Sequence, residues 1–246
     1  MSFRVVIPAR FGASRLPGKP LRDVAGRALV LRCADVARHS GAADVCVATD
    51  DARIAEVVRA DGHQAVMTRA DHPSGTDRLA EVAALAGWAD DDIVVNLQGD
   101  EPLVPPALLS QLAHALFERP AVGIATVATP IHSMDEVRSP HVVKVVFDEQ
   151  QRALYFSRAA IPHDRDERGD VARYRHLGLY AYRVRTLQTL AATPVHALER
   201  SEQLEQLRAL AHGIAIHVEL VSEAPPPGVD TEADLQRVEA HIRGLS

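Results

Sequence analysis

The 246-residue chain has only two cysteines, Cys33 and Cys46. The first falls in a helical pattern and the second in a strand pattern, which favours buried reduced thiols over a disulfide or a metal site. No run approaches the ~18 apolar residues of a membrane span. The N-terminal "MSFRVVIPAR" also lacks the apolar core of a secretory signal. A reducing cytoplasm without membrane insertion is therefore the expected address. Positive charge is scarce as well: 27 Lys and Arg face 33 Asp and Glu, for a formal net charge of −6. That balance argues against bulk nucleic-acid binding, which needs a broad basic surface. Internal repeats and low-complexity tracts are missing too. A composition 47% hydrophobic and 24% charged over this length predicts one large α/β domain, or one with a smaller appendage.

Two familiar phosphate-binding signatures are also missing. The opening "VVIPARFGASRLPGKPL", Val5 to Leu21, is not a P-loop: five residues rather than four separate Gly12 from Gly18, and Pro20 follows Lys19. A GxGxxG fingerprint is absent. What is there is a buried-type strand, Val5 to Ile7, running into a loop with Arg10, Arg15 and Lys19. These cations stand at the carboxyl end of the strand, where open α/β sheets bind ligands, so an anionic guest is expected. Gly12 and Gly18 permit close backbone approach, while Arg15 and Lys19 supply charge. A solvated basic turn is the plainer alternative.

Strand and helix alternate over the first ~130 residues, the βαβ pattern of a mostly parallel sheet flanked by helices. Helical spacing in "ALVLRCADVARHSG" ends at Gly41, "DARIAEVVRADG" ends at Gly62, and "PPALLSQLAHALFE" opens on prolines. The pattern then changes. "VGIATVATPI", "HVVKVVFDEQQRALYFS" and "YRHLGLYAYRV" predict antiparallel strands, added to the sheet or forming a small lid, with "DEQQ" as a turn. Pro162 to Arg175 reads as an exposed loop. "LERSEQLEQLRALAHG" reads as helix, "IAIHVELV" as strand and "TEADLQRVEAHIRG" as the last helix. We read residues 1–246 as one domain with a subregion at about 130–212.

Three polar clusters share the edge of the basic loop. Asp100 and Glu101 follow the buried strand of "DDIVVNLQGDEPLV", and a carboxylate there suits Mg²⁺, a hard cation preferring oxygen ligands. Asp230, delivered by "APPPGVD", is the second metal candidate, although Asp230, Thr231 and Glu232 also read as a helix N-cap region. Ser74, Gly75, Thr76, Asp77 and Arg78 offer donors, acceptors and an approachable backbone for a nucleotide base, or capping of a helix by Ser74 or Thr76.

Seven motifs, "IPARFGASRLPGKPL", "TRADHPSGTDRLAE", "VVNLQGDEP", "YFSRAAIPHDRD", "RHLGLYAYR", "LEQLR" and "GVDTEADL", closely resemble the CMP-Kdo synthetases, the 3-deoxy-manno-octulosonate cytidylyltransferases. The resemblance runs through nearly the whole chain, in order. It implies a Rossmann-like, GT-A-like nucleotidyltransferase fold with a small antiparallel dimerisation or lid subregion. It also implies transfer of CMP from CTP to the anomeric hydroxyl of 3-deoxy-D-manno-octulosonate (Kdo), with Mg²⁺, for lipopolysaccharide biosynthesis. Pro8, Ala9, Arg10, Arg15, Lys19 and Ser74 through Arg78 would bind CTP. Asp100 and Asp230 would hold the metal, and Lys19, Arg10 and Asp100 would be the catalytic set. Gln98, Arg158, His176, Gly178, Tyr180, Glu205 and Gln206 would line the Kdo pocket. His176 also reads as a structural histidine, Tyr180 as packing, and Glu205 and Gln206 as a solvated helix face. A homodimer is implied, with the middle antiparallel segment and the "LEQLR" helix as candidate interface. His163 stands where the family often has an aromatic residue, and the loop from Arg165 to Arg175 is short for it. Competing expectations are a nucleotidyltransferase for another acid sugar, such as sialic acid or an amino analogue of Kdo, and a catalytically silent nucleotide-binding regulator.

Overall fold

Val5, Val6 and Ile7 are fully buried in the middle of β1 (Arg4–Ala9), covered on both faces as a β-branched run predicts. The structure, a computed structural model, describes residues 2–12, 16–166, 169 and 171–244. After β1 come a 3-10 turn (Lys19–Leu21), a hairpin of β2 (Asp23–Val24) and β3 (Arg27–Ala28), and α1 (Leu29–Arg38). The expected alternation follows as β4 (Asp44–Thr49), α2 (Ala52–Ala60), β5 (Gln64–Met67), α3 (Gly75–Leu85), β6 (Ile93–Asn96) and α4 (Pro106–Phe117). Next are β7 (Ile124–Pro130), α5 (Met134–Arg138), β8 (Lys144–Phe147), β9 (Ala153–Ser157) and β10 (Tyr174–Arg183). The chain closes with α6 (Val184–Ala192), α7 (Ala197–Glu202), α8 (Gln206–Ala211), β11 (Ile216–Leu220) and α9 (Glu232–Ile242).

One sheet orders the strands β11-β7-β10-β6-β1-β4-β5, with β8 and β9 attached beside β10. β10 is antiparallel to both β6 and β7, whereas the other pairings along that path are parallel. Every other strand of the path therefore runs one way, and their carboxyl ends share one edge. The predicted antiparallel segment is thus built into the main sheet through β10, and the β8–β9 hairpin turns at Asp148 to Gln151. Gly178, at φ +70, lies in the irregular stretch between His176 and Tyr180 where the register of β10 on β7 shifts.

Helices cover both faces. Val5 and Ile7 pack with Val30, Ile54 and Leu109 of α1, α2 and α4, while Val6 and Val94 pack with Leu79, Leu187 and Leu207 of α3, α6 and α8. Cys33 and Cys46 are free, buried and in these two separate clusters, as their sequence patterns predict. A third cluster joins Leu16 and Val24 to Val229, Leu235 and Val238, so α9 packs on the hairpin after the opening loop. Among the described residues no helix is long and apolar enough to cross a membrane.

One helix is two. The stretch expected to run through 198–213 breaks at Gln203, whose φ is +54. The side chain of Glu202, the last residue of α7, accepts from Ser157 Oγ at 2.6 Å and from the Arg158 amide at 2.9 Å. Across the break, Arg208 donates from Nη2 and Nε to the two oxygens of Glu199, at 2.7 and 2.8 Å.

Candidate active site

Two glycines let three segments meet at the carboxyl edge. A Cβ on Gly99 would lie 2.8 Å from the Pro8 carbonyl oxygen, and one on Gly228 would lie 2.7 Å from that of Asp100. Both distances are impossible for a side chain, so glycine permits the exits of β1 and β6 and the entry to α9 to touch. The Val229 amide then donates to the Asp100 carbonyl at 2.8 Å. Two carboxylates 130 residues apart are thereby brought to one point.

That point holds an ammonium. Lys19 Nζ donates to Asp100 Oδ2 at 2.5 Å, to the Val229 carbonyl at 3.0 Å and to Asp230 Oδ1 at 3.3 Å. Burial works against its charge, but the two aspartates outweigh it and the Lys19 pKa is raised. Asp230 does not cap α9. Thr231 does, with Asp234 closing a capping box, so the plainer reading of this stretch applies to its neighbours. Beside the pair, burial followed by the charges of Asp100 and Asp230 pushes the Glu101 carboxyl up to about 8.

At the start of α3, Ser74 is the N-cap and forms a capping box with Asp77, so the capping alternative holds for both side chains. Gly75 packs on Pro8, whose Cγ would be 3.5 Å from an added Cβ. Arg78 turns inward: it is fully buried, donates to Thr68 Oγ1 and pairs with Asp50 at 3.4 Å. Burial lowers its pKa against the pull of Asp50. Arg10 reaches back to the His72 carbonyl at 2.6 Å. Ala9 is buried at the end of β1. Arg15 lies outside the described residues.

A cleft between α3, β6, β10 and α8 is lined by Gly75, Thr76, Gln98, Tyr180, Glu205 and Gln206, which the sequence singled out, and by Asn96, Ile124, Tyr182 and Leu190, which it did not. Gln98 also lines the neighbouring cleft with Asp100, Glu101 and Asp230, so the two are contiguous. Tyr180 and Tyr182 stack with centroids 5.6 Å apart, and burial raises both hydroxyl pKa values. The signal for Asn96 was present in the sequence: it is the polar residue ending an otherwise apolar strand, "IVVN".

Three expected pocket residues are placed outside this lining. Arg158 donates to the carbonyls of Glu202 at 2.8 Å and Pro140 at 2.9 Å. His176 has its Nε2 2.9 Å from Thr126 Oγ1, which itself donates to the Leu179 carbonyl at 2.8 Å, so the ring is the donor. Burial lowers its pKa to about 3, and the ring packs edge-on against Phe156. Gly178 serves the bend of β10.

The cytidylyltransferase family profile matches residues 4–216. A 3-deoxy-manno-octulosonate cytidylyltransferase of Hahella chejuensis is 53% identical, with 97% of each chain covered. One from Acinetobacter baumannii strain SDF is 52% identical, with 95% of each covered. Among solved structures, a CMP:2-keto-3-deoxy-manno-octonic acid synthetase complexed with CTP superposes with a TM-score of 0.93 at 44% identity, covering 99% of both chains. A cytidylyltransferase of Leptospira borgpetersenii shares the fold at a TM-score of 0.65 and 16% identity, with 99% of this chain and 87% of that one covered.

Proposed function

The chain belongs to the cytidylyltransferase family, among its 3-deoxy-manno-octulosonate members, and from that premise we propose that it transfers CMP from CTP to the anomeric hydroxyl of Kdo. The observation that carries the reading is the convergence of Asp100, Asp230 and Lys19 beside a cleft rich in neutral hydrogen-bonding groups. The sugar hydroxyl attacks the α-phosphorus in line. The hydroxyl gives up its proton to solvent, a new P–O bond forms as the α–β phosphoanhydride breaks, and pyrophosphate leaves with the electron pair.

The donor set fits Mg²⁺: two hard carboxylates already share one cationic partner. Bound by Asp100 and Asp230, Mg²⁺ would supply charge neutralisation and polarisation of phosphate oxygens. Lys19 and Arg10 neutralise the triphosphate, Lys19 as a point charge that exchanges its aspartates for phosphate oxygens. Ser74 to Asp77 present a rigid, capped helix start to the nucleotide. Gln98, Tyr180, Glu205 and Gln206 hold the sugar. Arg158 and His176, on the geometry above, act on the sugar site through the loops they brace.

We assign the product to lipopolysaccharide synthesis from the family membership, and the protein to a reducing cytoplasm, which the two unpaired buried thiols support. The proposed homodimer uses the middle segment, where Met134 and Leu154 are exposed, rather than α8, whose Leu207 to Ala209 are buried in their own chain. The test is pyrophosphate release with four nucleoside triphosphates crossed against Kdo and sialic acid. Turnover confined to CTP with Kdo is expected. Turnover with sialic acid alone, or tight CTP binding with none, would reject the assignment.

A further inference from the structure

Asn96 ends β6 beside Val6 of β1 and Tyr180 of β10, and it is 3% exposed. Its Oδ1 is buried without a hydrogen-bond partner among the described residues. On α8, at another wall of the same cleft, Gln206 Nε2 is likewise buried and unpartnered. An unmet buried amide is destabilising, and an aliphatic residue at position 96 would continue the run Ile93, Val94, Val95. One orphan is an acceptor and the other a donor. A hydroxyl group, which donates and accepts, suits either.

The charge of the cleft orients the guest. Among the described lining residues none is Lys or Arg, and Glu205 is a carboxylate. A sugar carboxylate would be repelled from it. Gln98 joins this cleft to the one at Asp100 and Asp230, where Lys19 supplies a cation and, on the reading above, the phosphate is attacked, so the reacting anomeric carbon, with the carboxylate it carries, belongs at that end. The hydroxyls remote from it then extend toward Asn96. We propose that Asn96, in the same cleft as Gln206, reads a hydroxyl of the acid sugar remote from its carboxylate, and that Asn96 is a specificity-determining residue of the acceptor site. This rests on the acid-sugar reading above.

The test is Asn96→Leu, which keeps the volume while removing both polar atoms. Pyrophosphate release is measured with whichever acid sugar the wild type accepts and with analogues each lacking one hydroxyl; a melting curve checks that the variant folds. The wild type should reject at least one analogue on the order of 10²-fold in kcat/KM, because that analogue strands buried polar groups. Asn96→Leu should use the parent sugar less well and lose that same discrimination to within a few-fold, with CTP affinity and the preference for CTP over UTP unchanged. Equal discrimination by the two proteins would overturn the proposal. So would a shift in CTP-over-UTP preference with sugar use intact, because the amide would then read the base. If the variant melts early, Asn96→Ala removes the same polar atoms with a smaller side chain and is judged by the same criteria. Failure of Kdo itself as a substrate appears in the wild-type lanes alone, and separates the acid-sugar assignment from the role of Asn96.

Discussion

Replacing Lys19 by methionine should make the nucleotide-free protein bind a divalent cation more tightly and CTP more weakly. Nζ lies between Asp100 and Asp230, 2.5 and 3.3 Å from their oxygens, the position a cation shared by both carboxylates would take. A metal ion must displace it. Asp100 provides the one short contact, and a charge-assisted hydrogen bond of that kind contributes about 1.5–3 kcal/mol. The Asp230 contact is longer and half exposed, so it adds little. Loss of the competing ammonium should therefore tighten metal binding by roughly tenfold to a hundredfold, at 1.4 kcal/mol per factor of ten.

The assay is Mn²⁺ titration, by electron paramagnetic resonance or calorimetry, of wild type, Lys19→Met and Asp100→Asn without nucleotide. The opposite sign is expected for CTP, because the triphosphate would lose the ammonium proposed to neutralise it. Mn²⁺ affinity of Lys19→Met equal to or below that of wild type would refute the idea that Lys19 occupies the metal position. Loss of affinity in Asp100→Asn alone would still place the metal on Asp100.

The neighbouring residues give two further tests. Asp230→Asn should lower turnover by about 100-fold or more with melting unchanged, whereas Thr231→Ala should cost about 1 kcal/mol of stability through the lost cap and leave turnover intact; near-wild-type turnover of Asp230→Asn would remove it from the metal site. Glu101, held up to about 8 against an ordinary 4.5, keeps its proton in the folded chain over a window in which the unfolded chain has lost it. In metal-free protein, stability should therefore fall as pH rises from about 4.5 to 8, and Glu101→Gln, which mimics the protonated form, should flatten that fall; parallel stability curves for the two proteins would show that Glu101 ionises normally.

Much of this architecture was legible because its signals are local. Val5 to Ile7 and Ile93 to Val95 are apolar runs that only a doubly covered strand explains, and the polar residues after them had to land at one sheet edge. The carboxylates and the basic loop were readable for the same reason. Other features carry no such signal. α6 follows β10 without an intervening residue, Arg183 to Val184, so nothing punctuates the change of period. The strands β2 and β3 are two residues each, too short for alternation to register. The break at Gln203 falls in a helical pattern that is locally continuous, beside a Glu202 whose partners, Ser157 and Arg158, are distant in sequence. The division of labour within "GVDTEADL" is equally invisible in one dimension: Asp230 and Asp234 are the same residue type four apart, and only the approach of Gly228 to Asp100 decides which of them faces Lys19 and which caps the helix. Sequence thus locates a site wherever strand ends dictate it. It is silent where function depends on which of two equivalent side chains a distant backbone contact turns inward.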